Sequence, residues 1–227
     1  MRFIFVFMIA FFFSFYAFAQ LDTVLIKSQI LEEDIEVYLY GMERKVEKTI
    51  YLTDGEKWLQ YGGLTQIQIL EKEGKIPLHS YVFISTTDPK TGIDKRNNYF
   101  FCNTDYVSFF EKELIPNVEK VHRKRSLVGL SFGGLNAAYF SAHSSLFEEY
   151  VLLSPITYPC SDVIQDILFS DKESLSIFLS TGQLDAEKYV QALMSIYESK
   201  GYQMEYLQTK GGHDFENWLG QMERFLK

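Results

Sequence analysis

Four runs between residues 80 and 180 are nearly continuous in apolar side chains: SYVFIST at 80 to 86, SLVGLS at 126 to 131, EYVLLS at 149 to 154 and LSIFLS at 175 to 180. A strand that is apolar on both faces must be covered on both faces, which parallel strands flanked by helices achieve. Similar β-rich runs stand outside this block, IEVYLY at 35 to 40, KTIYLT at 48 to 53 and QMEYLQT at 203 to 209. Helical spacing fills the gaps. It appears in Val107, Phe110, Leu114, Val118 and Val121, in Tyr189, Val190, Leu193, Met194 and Tyr197, and in Phe215, Trp218, Leu219, Met222 and Phe225. Strand and helix alternating in this way predict an α/β sheet. The aromatic stripes lie on the faces that must pack on that sheet, so they are core and not a cofactor site. No internal repeat, low-complexity segment or Pro/Gly-rich linker interrupts the pattern.

The first twenty residues form the one break in composition. One arginine precedes an apolar run that closes on Ala17-Phe18-Ala19, the small-x-small pattern of a cleaved export signal. Residues 1–19 are therefore expected to be a signal peptide and residues 20–227 a single α/β domain, exported to the periplasm or secreted. A span from Phe3 to Ala19 retained as an anchor is the competing expectation; the cleavage pattern and the absence of a following charge cluster favour removal and no stable membrane insertion. The formal charge is −8, and loss of Arg2 leaves 21 basic against 30 acidic residues. That balance argues against nucleic acid or an anionic membrane as a partner. The basic cluster His122-Arg123-Lys124-Arg125 reads as solvated punctuation between a helix and a strand. Export permits a bond between the two cysteines, Cys102 and Cys160, and two cysteines alone leave free thiols equally open.

Gly129-Leu130-Ser131-Phe132-Gly133 matches G-x-S-x-G at the end of one predicted strand and the start of a helix. A strand turning abruptly into a helix needs small neighbours so that the backbones can pass, and it projects the serine oxygen above the sheet. The serine then faces free N–H groups at a helix N-terminus, which stabilise developing negative charge. A Gly-rich turn with an N-cap serine shares the pentapeptide, but the flanking strand and helix favour a nucleophile on an α/β-hydrolase fold.

That fold orders its site as serine, then acid, then histidine, the acid after the second strand beyond the nucleophile and the histidine after the last strand. Asp185 follows LSIFLSTG and His213 follows QMEYLQTKGG. His79 and His122 precede the serine at strand starts, and His143 is about three turns along the helix after it, which leaves His213 on the correct rim. The glycines before His213 are expected to supply unusual backbone angles for a loop that reaches over the site. Asp185 also suits an ordinary N-cap, with Glu187 and then Asp162 as substitutes for the acid; Asp214 is better read as a cap. In this arrangement His213 removes the Ser131 proton and Asp185 orients and stabilises the imidazole.

The motifs resemble the esterase family that includes enterochelin esterases, esterase D and the mycolyltransferases, from about Ile35 to the C-terminus. The resemblance rests on Tyr51-Leu52-Thr53-Asp54-Gly55, on FEKELIPNV at 110 to 118, on GLSFGGLNAA around Ser131 and on GGHDFENW from 211 to 218. It implies an oxyanion hole formed by the backbone N–H groups of Phe132 and Glu56, with the Glu56 side chain uninvolved. The chain departs from the family in abbreviated N-terminal strands and in Arg96-Asn97-Asn98-Tyr99, where many members have R-x-x-E. Trp58 and Arg96 are candidate substrate-binding residues near that loop. The same resemblance places Cys102 and Cys160 after strands that both end at the active-site rim, which favours a disulfide.

These expectations describe a serine hydrolase cleaving carboxylic esters through an acyl-enzyme on a small-molecule substrate: an acylated sugar, a siderophore, a feruloyl ester or a simple short-chain ester. The segment from Ser154 to Leu175 provides at most a minimal lid over an open, shallow site. No metal-ligand spacing or nucleotide loop appears, so no cofactor and no metal are expected. An acyltransferase with the same triad and a catalytically silent ligand-binding protein on the same fold are the rival readings. A peptidase ranks below both, because the chain lacks a domain to enclose a peptide.

Overall fold

The computed structural model describes residues 20–227 other than 173 and 184; the expected signal peptide at 1–19 lies outside the described residues. Eight strands form one sheet: β1 (Leu21–Lys27), β2 (Asp34–Tyr40), β3 (Lys48–Thr53), β4 (Ser80–Ile84), β5 (Lys124–Leu130), β6 (Glu149–Leu153), β7 (Ser176–Gly182) and β8 (Gln203–Thr209). Their order is β1-β2-β4-β3-β5-β6-β7-β8. Only β2 runs against its neighbours β1 and β4, and every other pairing is parallel. The strand missing from the sequence pattern is β1. It lies at the sheet edge with Ile26 as its one fully buried residue, so its sequence carries almost no apolar alternation.

Helices cover both faces: α1 (Gly55–Gln60), α2 (Gly63–Lys72), α3 (Arg96–Phe100), α4 (Thr104–Phe109), α5 (Ile115–Val118), α6 (Phe132–His143), α7 (Val163–Phe169), α8 (Glu187–Ser199), α9 (Phe215–Gly220) and α10 (Met222–Phe225). A π-helical turn, Phe110–Leu114, joins α4 to α5. Successive strand side chains point to opposite faces, so each central strand feeds two cores. Val82 and Ile84 of β4 join Phe110, Leu135 and Val190 on one face. Tyr81 and Phe83 join Trp58, Ile67, Trp218 and Met222 on the other. The helical stripe expected to reach Val121 stops at Val118, and Val121 is exposed.

The basic cluster is only partly solvated punctuation. Arg125 is buried in β5 and donates twice to Glu119, at 2.8 and 3.0 Å, while Arg123 donates to Ser80 Oγ at 2.6 Å and to the carbonyls of Met42 and Arg44. A guanidinium that finds several oxygens in a fixed fork geometry can be taken out of water, which the sequence pattern alone did not reveal.

Between β6 and β7 the chain forms one 3-10 turn (Tyr158–Cys160) and α7, so the lid is as small as expected. Cys160 in that turn is joined to Cys102, which follows α3, with Cα atoms 6.1 Å apart.

Candidate active site

The chain passes from β5 to α6 within one residue. Ser131 has φ 57° and ψ −116°, a conformation an L-residue adopts at a cost of about 1–3 kcal/mol and keeps only where its surroundings enforce it. Here its N–H donates to Leu153 C=O at 2.8 Å and its C=O accepts from the N–H groups of Gly134, Leu135 and Ile156 at 3.0 to 3.2 Å. Gly129 is required by close approach, since a Cβ there would lie 1.9 Å from the Gly133 carbonyl oxygen. The strand and helix backbones cross at that point.

Three segments distant in sequence meet at this corner. His213 Nε2 lies 2.9 Å from Ser131 Oγ, and His213 Nδ1 lies 2.6 Å from Asp185 Oδ1. An ionised carboxylate only accepts, so the imidazole proton belongs on Nδ1 and Nε2 is left to accept the serine proton. The Asp185 side chain is 3% exposed and that of His213 34%, so solvent reaches the base and not the acid. Burial acts most strongly on Asp185 and opposes its ionisation. The hydrogen bonds from His213 and the Gly182 N–H, with the imidazole charge, together outweigh burial and hold the carboxyl below its usual range.

The acid and base loops are brought together by backbone contact. A Cβ on Gly182 at the end of β7 would meet the Gly211 carbonyl oxygen at 2.0 Å. The paired glycines before His213 do not take left-handed angles, contrary to expectation. Gly211 is small because the Asn217 side chain occupies the space a Cβ would need, at 2.5 Å. Asn217 Nδ2 donates to the Gly212 carbonyl at 2.8 Å, and its Oδ1 accepts from Thr209 Oγ1 at 2.6 Å, which pins the histidine loop to β8. Asn217 was not singled out from the sequence, although it stands inside GGHDFENW. Asp214 caps α9, as read from its position, by accepting the Asn217 N–H. Asp185 caps nothing: the N-cap of α8 is Ala186, and the carboxylate turns to His213 instead.

Phe132 and Glu56 occupy the first turns of α6 and α1, where a backbone N–H has no carbonyl four residues back to bind. The two turns adjoin, since a Cβ on Gly133 would lie 2.8 Å from Thr53 Oγ1 and 3.1 Å from Asp54 Oδ2. The Glu56 carboxylate is engaged elsewhere, accepting from Thr86 N–H, Thr86 Oγ1 and Thr87 Oγ1 at 2.9 to 3.1 Å.

The two pocket candidates have other contacts. Trp58 is fully buried in the core under α1 and packs edge-on against Phe215, so it offers a substrate no surface. Its large apolar ring is buried in the core instead of lining the site. Arg96 is a clamp. Its Nε donates to Asp54 Oδ1 at 2.6 Å and an Nη to the Leu130 carbonyl at 2.9 Å, and its guanidinium lies over the Phe132 ring at 5.3 Å. Asp54 itself is wholly buried in a left-handed conformation, φ 57°, with Lys57 as its other cation at 3.2 Å. Burial is the largest influence on Asp54 and raises its carboxyl above the usual range against the pull of Arg96 and Lys57. Arg96→Ala strands that carboxylate with one partner and is expected to cost about 2–3 kcal/mol, read as a lower urea midpoint at unchanged slope.

Ser131 is 7% exposed. Next to it in the chain, Phe132 meets Phe101 edge-on at 5.0 Å and Tyr158 at 6.1 Å, and Tyr158 is 65% exposed. No helix among the described residues is long and apolar enough to cross a membrane, and no group of acidic, His or Cys residues among them is placed to hold a metal ion.

An eight-stranded sheet of this order, with a serine at the β5–α6 corner and an acid and a histidine after β7 and β8, defines the α/β-hydrolase class. The family model described as "Putative esterase" matches residues 28–227. The chain belongs to that family. Among curated proteins no sequence matches it. Among solved structures it is similar to the enterobactin esterase FES from Shigella flexneri, determined in the presence of enterobactin, with TM-score 0.79 and 23% identity over 91% of this chain. The match covers 57% of that protein, so the chain spans little more than half its length. It is also similar to an IroE-like serine hydrolase from Shewanella oneidensis, TM-score 0.68 and 18% identity over 91% of this chain and 79% of the other. A ferulic acid esterase matches with TM-score 0.70 and 16% identity over 92% of this chain and 96% of the other. At these identities the likeness is one of fold.

Proposed function

We propose that this protein is a serine hydrolase that cleaves carboxylic esters through an acyl-enzyme on Ser131. The observation that carries the reading is the continuous chain from Ser131 Oγ through His213 to Asp185, with links of 2.9 and 2.6 Å. Ser131 Oγ attacks the ester carbonyl carbon as His213 Nε2 takes its proton. The carbonyl oxygen becomes an oxyanion met by the N–H groups of Phe132 and Glu56. Collapse breaks the acyl–oxygen bond, and His213 returns the proton to the departing alcohol. Water then repeats the sequence on the acyl-enzyme and regenerates the serine.

The substrate class we infer is an ester bearing an aromatic ring. Phe101, Phe132 and the exposed Tyr158 present ring faces and edges beside the nucleophile, a surface suited to offset or edge-on stacking. The names of structurally similar proteins, the enterobactin esterase studied with a benzoyl-serine ligand and the ferulic acid esterase, agree with this class. The site of action we propose is outside the cytoplasm: the Ala17-Phe18-Ala19 pattern supports export, and the Cys102–Cys160 bond suits an oxidising compartment.

A fluorophosphonate probe is expected to phosphonylate Ser131 with loss of fluoride, located by peptide mass spectrometry, and methyl ferulate is expected to be hydrolysed with a lower KM than a short aliphatic methyl ester. A folded protein that takes up no probe would be a silent binding protein on this fold. Acyl transfer to added sugar in preference to water would make it a transferase.

A further inference from the structure

The peptide that joins Gly55 to Glu56 carries one of the two N–H groups assigned above to the oxyanion, and the structure grips that peptide from both ends. On the Gly55 side the turn is pressed against β4, where a Cβ would lie 2.5 Å from both the Phe83 carbonyl carbon and the Ile84 nitrogen. On the Glu56 side the carboxylate reaches the two residues beyond the end of β4. Its Oε1 accepts from Thr86 Oγ1 at 2.9 Å and from Thr87 Oγ1 at 3.1 Å, and its Oε2 accepts from Thr86 N–H at 3.0 Å. The anchor is itself held. Thr86 is buried and its carbonyl accepts from Lys95 N–H at 2.8 Å. Lys57, next in the chain, donates to Asp54 Oδ1 at 3.2 Å and to Asp94 Oδ2 at 3.0 Å, which ties the same turn to the same loop a second time. Bonds to an ionised acceptor are among the strong ones, and three of them leave the Glu56 side chain one orientation.

We propose that the Glu56 side chain is a positioning residue for the oxyanion hole: it touches no reacting atom and acts by fixing the direction of its own backbone N–H. The inference rests on the reading of the Phe132 and Glu56 N–H groups as the oxyanion donors. A donor stabilises charge that develops in the transition state only if it is already aimed there, because turning it during the reaction costs energy. The two donors differ in how they are braced. Phe132 follows Ser131, whose N–H and C=O make four backbone bonds. Glu56 belongs to a helix of six residues in a separate segment, and the bonds from its carboxylate to Thr86 and Thr87 supply the brace that the corner supplies for Phe132.

The test compares wild type, Glu56→Ala, Thr86→Val, Thr86→Ser and the Glu56→Ala/Thr86→Val double variant, with thermal melts to establish folding. Two quantities are read: kcat and KM on p-nitrophenyl acetate, and the amide proton NMR shifts at positions 56 and 132 before and after the fluorophosphonate probe has placed a phosphoryl oxygen beside Ser131. Glu56→Ala is expected to lower kcat by about tenfold to a hundredfold with KM within about twofold of wild type. In the wild-type adduct both amides move downfield; in Glu56→Ala the amide at 132 moves as before and the amide at 56 moves less. Thr86→Val removes one of the three donors and loses about threefold in kcat. Thr86→Ser keeps the hydroxyl and behaves like wild type. The double variant loses no more than Glu56→Ala, because Thr86 acts through the carboxylate. A Glu56→Ala protein that melts lower yet keeps wild-type kcat and a wild-type shift at position 56 overturns the proposal, as do losses that add in the double variant. If Glu56→Ala does not fold, Thr86→Val decides: a lower kcat at unchanged KM supports the brace and an unchanged kcat ends it. The underlying readings fail in other ways. A folded wild type that takes up no probe ends the serine-hydrolase reading, and one that is labelled while neither amide moves ends the assignment of the donors; each takes this proposal with it.

Discussion

Asp185→Asn is expected to lower kcat for ester hydrolysis by about four orders of magnitude with KM little changed. The amide can donate to His213 Nδ1, so the imidazole proton moves to Nε2, the nitrogen that must accept from Ser131 at 2.9 Å. Ser131→Ala is expected to cost about six orders, and adding Asp185→Asn to it should cost nothing more, because the three residues act as a unit. Single-turnover release of p-nitrophenol, with thermal melts to show that each variant folds, reads both effects. An Asp185→Asn protein within tenfold of wild type would take the acid's role from Asp185, and Glu187→Gln and Asp162→Asn would then identify its holder. The 2.6 Å contact and the 3% exposure of the Asp185 side chain argue that neither substitution will matter much.

The second large effect is on stability. Cys102 and Cys160 close a loop across 58 residues, and cutting that link returns to the unfolded chain conformational freedom worth about 4 kcal/mol by loop-closure entropy. Cys102→Ser/Cys160→Ser is expected to melt about 8–16 °C below the native protein, by calorimetry. Reduction of the native protein should reproduce the shift; equal melting temperatures with and without reductant would show that the bond contributes nothing. The link also joins the segment carrying Phe101 to the turn carrying Tyr158, both packed on Phe132. The serine variant should therefore lose more on methyl ferulate than on p-nitrophenyl acetate.

The positions of strands and the nucleophile were legible because each is written locally. KTIYLT and QMEYLQT coincide with β3 and β8, and the apolar runs at 126, 149 and 175 fall within a few residues of β5, β6 and β7. Gly129 and Ser131 could be recognised because a strand-to-helix corner restricts a few adjacent residues. The chain order required by the fold then selected His213 from four histidines; in the structure His79 binds the Leu226 carbonyl and His143 pairs with Asp166. β1 was missed because an edge strand with one buried residue has no pattern to show.

What the sequence by itself determined was therefore the sheet, the corner at Ser131, the family motifs and the candidate triad, each fixed by periodicity, spacing or order along the chain. Only the tertiary structure decided the roles of Arg96, Trp58 and Asn217. Arg96 joins Asp54 to the Leu130 carbonyl across 42 and 34 residues, and Trp218 reaches Ser154 across 64. Such partners are chosen by which side chains arrive at the same point once the strands stack, and no local pattern records a meeting between segments that far apart. A buried polar group must find a partner wherever the fold provides one, so the identity of that partner is a property of the packed molecule.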